Sequence, residues 1–116
     1  MNIKIAIADD NSFLIKAVKE KLSFFKDLEC KFSALNGSEL ISKLEDNSNI
    51  DLILMDIQMP IMNGYEAIRQ IRLFNNDVII IAQTAFALIG DEEKVKAVGC
   101  NDYVSKPINR ANLVAI

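Results

Sequence analysis

Leu52-Ile53-Leu54-Met55 is an unbroken apolar run that stops at a carboxylate, Asp56. An apolar run of this length, bounded by polar residues, reads as a strand buried on both faces, as strands of a parallel sheet are. Open parallel sheets place their sites just beyond the carboxyl ends of the strands, so Asp56 is expected at the rim of a crevice. Asp is also common in turns and at helix starts, so Asp56 alone is equally explained as a cap.

The same geometry recurs. Ile3-Lys4-Ile5-Ala6-Ile7-Ala8 ends in Asp9-Asp10, and Val78-Ile79-Ile80-Ile81-Ala82-Gln83 ends in Thr84. Three acids and a hydroxyl at the ends of three strands are costly to crowd together unless a cation compensates the charge, and carboxylates are the ligands hard cations such as Mg²⁺ prefer. The residues therefore point to a divalent metal site.

Between these runs the apolar period changes from strand to helix. After Asp10, Asn11 or Ser12 can cap a helix in which Phe13, Leu14, Ala17, Val18, Leu22 and Phe25 recur at 3.6-residue spacing, ending near Phe25. Cys30, Phe32 and Ala34 alternate with polar residues as a second strand, Asn36-Gly37-Ser38 turns, and Ser38 is expected to cap a helix over 39–45 that buries Leu40, Ile41 and Leu44. A loop carrying Pro60, Asn63 and Gly64 leads to a helix with Tyr65, Ala67, Ile68, Ile71 and Leu73 or Phe74 on its apolar side, and Arg69 and Arg72 outward. Ala87 to Val98 reads as a helix interrupted by Gly90 and stopped by Gly99, Asp102 to Ser105 as a short last strand, and Asn109 or Asn112 as the start of a final helix. Such regular strand–helix alternation argues for one α/β domain, a parallel sheet with helices on both faces and right-handed crossovers.

Composition narrows the function classes. With 116 residues, 51% of them hydrophobic, the chain can build one real core and has no room for a second domain. A net charge of −3 without any Lys/Arg run gives no electrostatic footprint for nucleic acid. The two cysteines, Cys30 and Cys100, match no metal or disulfide spacing, which predicts reduced thiols in a cytoplasmic protein. No stretch approaches the roughly 20 apolar residues of a membrane span. There is no histidine, so His-based triads, His metal sites and a phosphohistidine within this chain are excluded.

IADDN, LILMDIQMPIMNGYEAIRQIR, the Thr-Ala pair after the fourth strand and GCNDYVSKP, in this order and over nearly the whole chain, closely resemble the receiver domain of two-component response regulators. The patterns MPIMNGYEAIRQIR and AVGCNDYVSKPIN look most like receivers of hybrid sensor histidine kinases. The resemblance implies a flavodoxin-like doubly wound (βα)5 domain with strand order 2-1-3-4-5, which sets the first and third strands side by side. It implies that Asp56 is a phosphoacceptor, that Asp9, Asp10, Asp56 and the backbone carbonyl of Gln58 hold Mg²⁺, and that Thr84 and Lys106 contact the transferred phosphoryl group. It also implies that Thr84 and the ring of Tyr103 move together as a switch, and that Phe86 flanks the path of attacking water. Asn63 stands where the family most often has Asp, and caps a helix as well.

The partner so implied is a histidine kinase or a histidine phosphotransfer domain, acting in the cytoplasm or on the cytoplasmic part of a membrane sensor kinase. A homodimer through the fourth helix, fifth strand and fifth helix is a further expectation, with no nucleic acid or membrane contact through this domain. The last helix, stopping while still apolar around Leu113 and Ile116, is expected to be truncated, so that 1–116 is a receiver fragment of a longer protein. Two other classes compete. A phosphatase or mutase using an aspartyl phosphate needs a second acid two residues after the nucleophile, and Gln58 occupies that place. A receiver-like module that binds partners without phosphorylation usually loses acid-pair or acceptor residues, and this chain retains them.

Overall fold

The computed structural model describes residues 2–46, 49–84 and 91–105. Nine elements alternate along them: β1 Ile3–Ala8, α1 Ser12–Leu22, β2 Leu28–Ala34, α2 Gly37–Asp46, β3 Leu52–Asp56, α3 Gly64–Phe74, β4 Ile79–Thr84, α4 Asp91–Ala97 and β5 Asp102–Ser105. The five strands form one sheet in the order β2-β1-β3-β4-β5, and every neighbouring pair is parallel. This is the doubly wound flavodoxin-like arrangement expected from the alternation and the resemblance. The final helix expected from Asn109 or Asn112, and with it Phe86, Lys106 and the apolar end at Leu113 and Ile116, lies outside the described residues.

Strand parity sorts the apolar side chains into two layers. Ile5, Ile7, Leu54 and Ile81 face one side and pack with Ile15, Val18 and Leu22 of α1. Ala6, Ala8, Ile53, Met55, Ile80 and Ala82 face the other side and pack with Leu40 and Leu44 of α2 and Ala67, Ile68 and Ile71 of α3. Fully burying an Ile or Leu side chain is worth about 1.5–3 kcal/mol, so these two layers carry the fold. The central strands β1, β3 and β4 are thereby covered on both faces, which is why their sequences read as continuous apolar runs.

Local chemistry sets the element boundaries, and in places departs from the sequence reading. Asn11 caps α1, its Oδ1 accepting from Phe13 N at 3.0 Å and Leu14 N at 3.3 Å. The buried stripe of α1 is Ile15, Val18 and Leu22; Ile15 is not among the positions read from the period, and Phe13 and Ala17, which are, are exposed. The helix ends at Leu22, earlier than expected, where Ser23 N returns to the Lys19 carbonyl at 3.0 Å and Ser23 Oγ donates to the Glu20 carbonyl. Asn36, rather than Ser38, caps α2, its Oδ1 accepting from Glu39 N at 2.8 Å. Asn63 caps α3 through Glu66 N at 3.0 Å, as its place in the sequence implied. Leu73 and Phe74 are exposed, and Arg72, expected outward, is partly buried against the loop before β5.

Candidate phosphoacceptor site

The carboxyl ends of β1 and β3 meet because these strands are neighbours, with Ala8 opposite Met55 in register. The next residue along each strand is an acid. Asp9 continues the ladder past β1, its N–H donating to the Ala34 carbonyl at 3.0 Å, and this places it inside the sheet margin, where it is 1% exposed. Its Oδ1 accepts from Asn11 N at 2.9 Å, so the residue that caps α1 also fixes the carboxylate before it. Asp10 is exposed. Asp56 ends β3, stands opposite Gln83 of β4 and is 4% exposed; its Oδ1 accepts from Gln58 N at 3.2 Å.

Asp9, Asp10 and Asp56 each offer a carboxylate oxygen, and the three oxygens lie within 4.8 Å of one another. At such separations two carboxylates repel by about 3–4 kcal/mol at an effective dielectric of about 20. A hard divalent cation offsets that repulsion, and an all-oxygen donor set with two buried members fits Mg²⁺ better than any softer metal. The sequence expectation that three separated acids converge is thus met in space.

The segment after Asp56 folds back on itself. Ile57 N donates to the Gln83 carbonyl at 3.1 Å, Gly64 N donates to the Ile57 carbonyl at 2.9 Å, and Met62 N donates to the Pro60 carbonyl at 2.6 Å. Gly64 has no room for a side chain, since a Cβ there would stand 2.7 Å from Ile57 Cα and 2.9 Å from the Asp56 carbonyl oxygen. The backbone of Gln58 is therefore held between two anchored points, while its side chain is exposed.

The remaining expected members lie farther along the chain. Thr84 is the last residue of β4, one past Gln83, and stands opposite Ser105 in register. Its hydroxyl and the whole of Lys106 lie outside the described residues. Tyr103 pairs with Ala82 across β4 and β5, half-buried against the cluster on the α2 and α3 side. Gln83 was not singled out from sequence: it is the one buried polar side chain besides Asp9 and Asp56 among the described residues, 2% exposed, and it ends a run that otherwise reads as pure strand. Its only sequence signal is an amide in an apolar strand.

A sequence model described as the response regulator receiver domain matches residues 5–116. Among curated proteins, the chain is 38% identical over 115 residues to hybrid signal transduction histidine kinase G of Dictyostelium discoideum, covering 96% of this chain and 3% of that protein. It is 31% identical over 141 residues to the response regulator SSK1 of Arthrobotrys oligospora, covering 93% of this chain and 13% of that one. A protein-glutamate methylesterase/protein-glutamine glutaminase of Methanococcus maripaludis is 34% identical over 116 residues, covering 96% of this chain and 30% of that one. The chain thus spans a minor part of each of these relatives. Among solved structures, a CheY-like receiver domain protein of Methanospirillum hungatei superposes with a TM-score of 0.85 at 26% identity, covering 99% of this chain and 90% of that one. In fold alone, the CheX-CheY-BeF3-Mg complex of Borrelia burgdorferi matches with a TM-score of 0.89 at 24% identity, covering 97% of this chain and 84% of that one.

Proposed function

This chain belongs to the response regulator receiver domain family, the phosphoacceptor switches of two-component systems, and from that premise we propose that Asp56 is its phosphoacceptor. The observation that carries the proposal is the convergence of Asp9, Asp10 and Asp56 within 4.8 Å at the ends of adjacent strands, with Asp56 buried and anchored by Gln58 N. Asp9, Asp10, Asp56 and the Gln58 carbonyl hold Mg²⁺. Bound there, the cation supplies positive field against the repulsion between a carboxylate and an anionic phosphoryl group.

The chain's own residues then do the following. An Asp56 carboxylate oxygen forms a bond to phosphorus, the bond from phosphorus to the donor breaks, and its electron pair leaves with the donor. The donor is a phosphohistidine on a partner histidine kinase or phosphotransfer domain, since this chain has no histidine of its own. The Gln58 N–H on Asp56 Oδ1 fixes the orientation of the carboxylate. Thr84 and Lys106 take the phosphoryl oxygens as a directional donor and a mobile cation. Closure of Thr84 draws Tyr103 inward and shifts the domain toward its active form. The chain's enzymology is confined to its own phosphorylation and to hydrolysis of its own acyl phosphate.

Two exposed apolar side chains in the segments that follow these acids, Phe13 at 83% and Ile61 at 85%, suit contact with the donor protein. No helix among the described residues is long and apolar enough to cross a membrane. Incubation with acetyl phosphate and Mg²⁺, followed by mass spectrometry, tests the assignment. One phosphoryl group on Asp56 is expected; labelling at another residue, or none, overturns it.

A further inference from the structure

The segment from Gln58 to Asn63 contains the most strained backbone among the described non-glycine residues. Ile61 has φ +67°, and the hydrogen bond from Met62 N to the Pro60 carbonyl at 2.6 Å makes it the centre of a γ-turn at positive φ. That turn is rare and strained for any L-residue, and for a β-branched one it is a genuine outlier. Ile61 is also 85% exposed, so no burial of its own side chain holds it there. Something outside the turn must.

The outside contact comes from the start of α2. Gly37 N donates to the Met62 carbonyl at 3.0 Å, one residue past the strained position. The approach is as close as a residue without a side chain permits. A Cβ on Gly37 would stand 2.7 Å from the Met62 carbonyl oxygen, 3.0 Å from Met62 Cγ and 3.0 Å from Ala67 Cβ. Two of these obstacles, the backbone oxygen and a helix Cβ, cannot rotate away. Gly37 is buried and sits under the partly buried Met62, which packs on the core. The turn is therefore pinned from α2 through Gly37 and from α3 through Gly64, and the backbone of Gln58 lies between Asp56 and that pinned turn.

We propose that Gly37 is a positioning residue for the metal site: by pinning Met62 it holds the strained Ile61 turn, and the turn holds the Gln58 carbonyl in place to bind the cation. The proposal rests on the reading of Asp9, Asp10, Asp56 and the Gln58 carbonyl as the Mg²⁺ site. Residues that orient metal ligands from outside typically change metal affinity by about 10–100-fold when altered. Because binding and positioning are linked, bound metal must in turn stabilise the contact between Gly37 and Met62.

The test is a Mn²⁺ titration followed by electron paramagnetic resonance, with Mn²⁺ as the probe and native-state folding confirmed by circular dichroism well below the unfolding midpoint. Gly37→Ala is expected to weaken Mn²⁺ binding about tenfold, and Gly37→Ala with Ile61→Gly to recover part of it, since glycine lets the turn re-seat without the positive-φ penalty. A structural role for Gly37 alone predicts no recovery from a change at an exposed loop position. Unchanged affinity in Gly37→Ala, or no recovery in the double variant, overturns the proposal while leaving the metal site standing. Mn²⁺ affinity that is the same in Asp56→Asn as in the wild type overturns the metal site itself and the proposal with it. If Gly37→Ala does not fold, amide hydrogen exchange on the wild type decides. Saturating Mg²⁺ should slow exchange at Gly37 more than at Leu40 in the same helix, and equal effects at the two amides overturn the proposal.

Discussion

The Arg72 side chain lies across Gly99, donating from Nε to the Gly99 carbonyl at 2.9 Å, and a Cβ at position 99 would stand 2.7 Å from Arg72 Cγ. Gly99 has φ +114°, so the position excludes a side chain by backbone conformation as well as by space. The same guanidinium donates to the carbonyls of Asn75 at 3.1 Å and Val78 at 2.7 Å, and to Asn101 Oδ1 at 2.7 Å. Asn101 passes the contact on, its Oδ1 accepting from Ile80 N at 2.8 Å and its own N–H donating to the Ile80 carbonyl at 2.9 Å. One side chain thus ties the end of α3 to the entries of β4 and β5.

Arg72→Lys keeps the charge but loses the planar fork, so at most one or two of the four acceptors keep a hydrogen bond from residue 72. A loss of about 2 kcal/mol in unfolding free energy is expected, measured by urea denaturation. A change within about 0.5 kcal/mol, as for an ordinary surface substitution, contradicts the structural assignment.

Asp56→Asn removes one of three clustered negative charges. In EDTA it should unfold at a higher urea concentration than the wild type, by about 1 kcal/mol, because the repulsion at the site is relieved. Adding millimolar Mg²⁺ should narrow or reverse the difference, since only the wild type gains the full binding contribution. A variant less stable than the wild type in EDTA would show that Asp56 carries a structural role instead.

Ile61→Gly relieves a left-handed conformation that costs an L-residue roughly 1–2 kcal/mol, against a glycine entropy penalty of roughly 0.5–1 kcal/mol. The net expectation is a gain of between about 0 and about 1.5 kcal/mol, with a correspondingly higher melting temperature. A lower melting temperature would mean that Ile61 makes compensating contacts.

Burial pushes the Cys100 thiol up, with hydrogen bonds from the backbone at Asp102 and Ala82 and the charge of Arg72 partly opposing it. Its Sγ lies 2.7 Å from the Asp102 carbonyl oxygen and 3.2 Å from that of Ile80. The native state therefore holds this proton at pH values where the unfolded chain has lost it. The thiol's contribution is fully present below the unfolded value of roughly 8.5 and is lost as pH rises through the folded one. Burial raises Cys30 in the same direction, so removing Cys100 alone leaves part of the dependence. The stability advantage of the wild type over Cys100→Ala should shrink as pH is raised from about 8 to about 10; an advantage that is constant or grows over this range contradicts the buried-thiol reading.

Much of this fold is legible locally because its determinants are local. The apolar runs at Ile5 to Ala8, Leu52 to Met55 and Ile79 to Ala82, the alternation with helical periods and the caps at Asn11 and Asn63 are properties of short segments, and among the described residues the strands and helices follow in the order those signals give, with the end of α1 and the cap of α2 displaced. The three acids could be named from sequence because Asp9-Asp10 directly follows one apolar run and Asp56 ends another, and a strand end is a position in the chain before it is one in space. Family resemblance supplied the strand order that sets β1 beside β3, and the sheet confirms it. What sequence could not settle depends on which neighbours arrive. Arg72 sits where helical period allows solvent, but Gly99 and Asn101 come from another part of the chain to receive it. Phe13 and Ile15 are both apolar at the start of α1, and only the packing of that helix on β1, β3 and β4 decides that Ile15 is buried and Phe13 exposed. Gly37 reads as a turn residue in its own segment; that its missing Cβ makes room for the Met62 carbonyl is visible only once α2 and the loop after β3 are packed together.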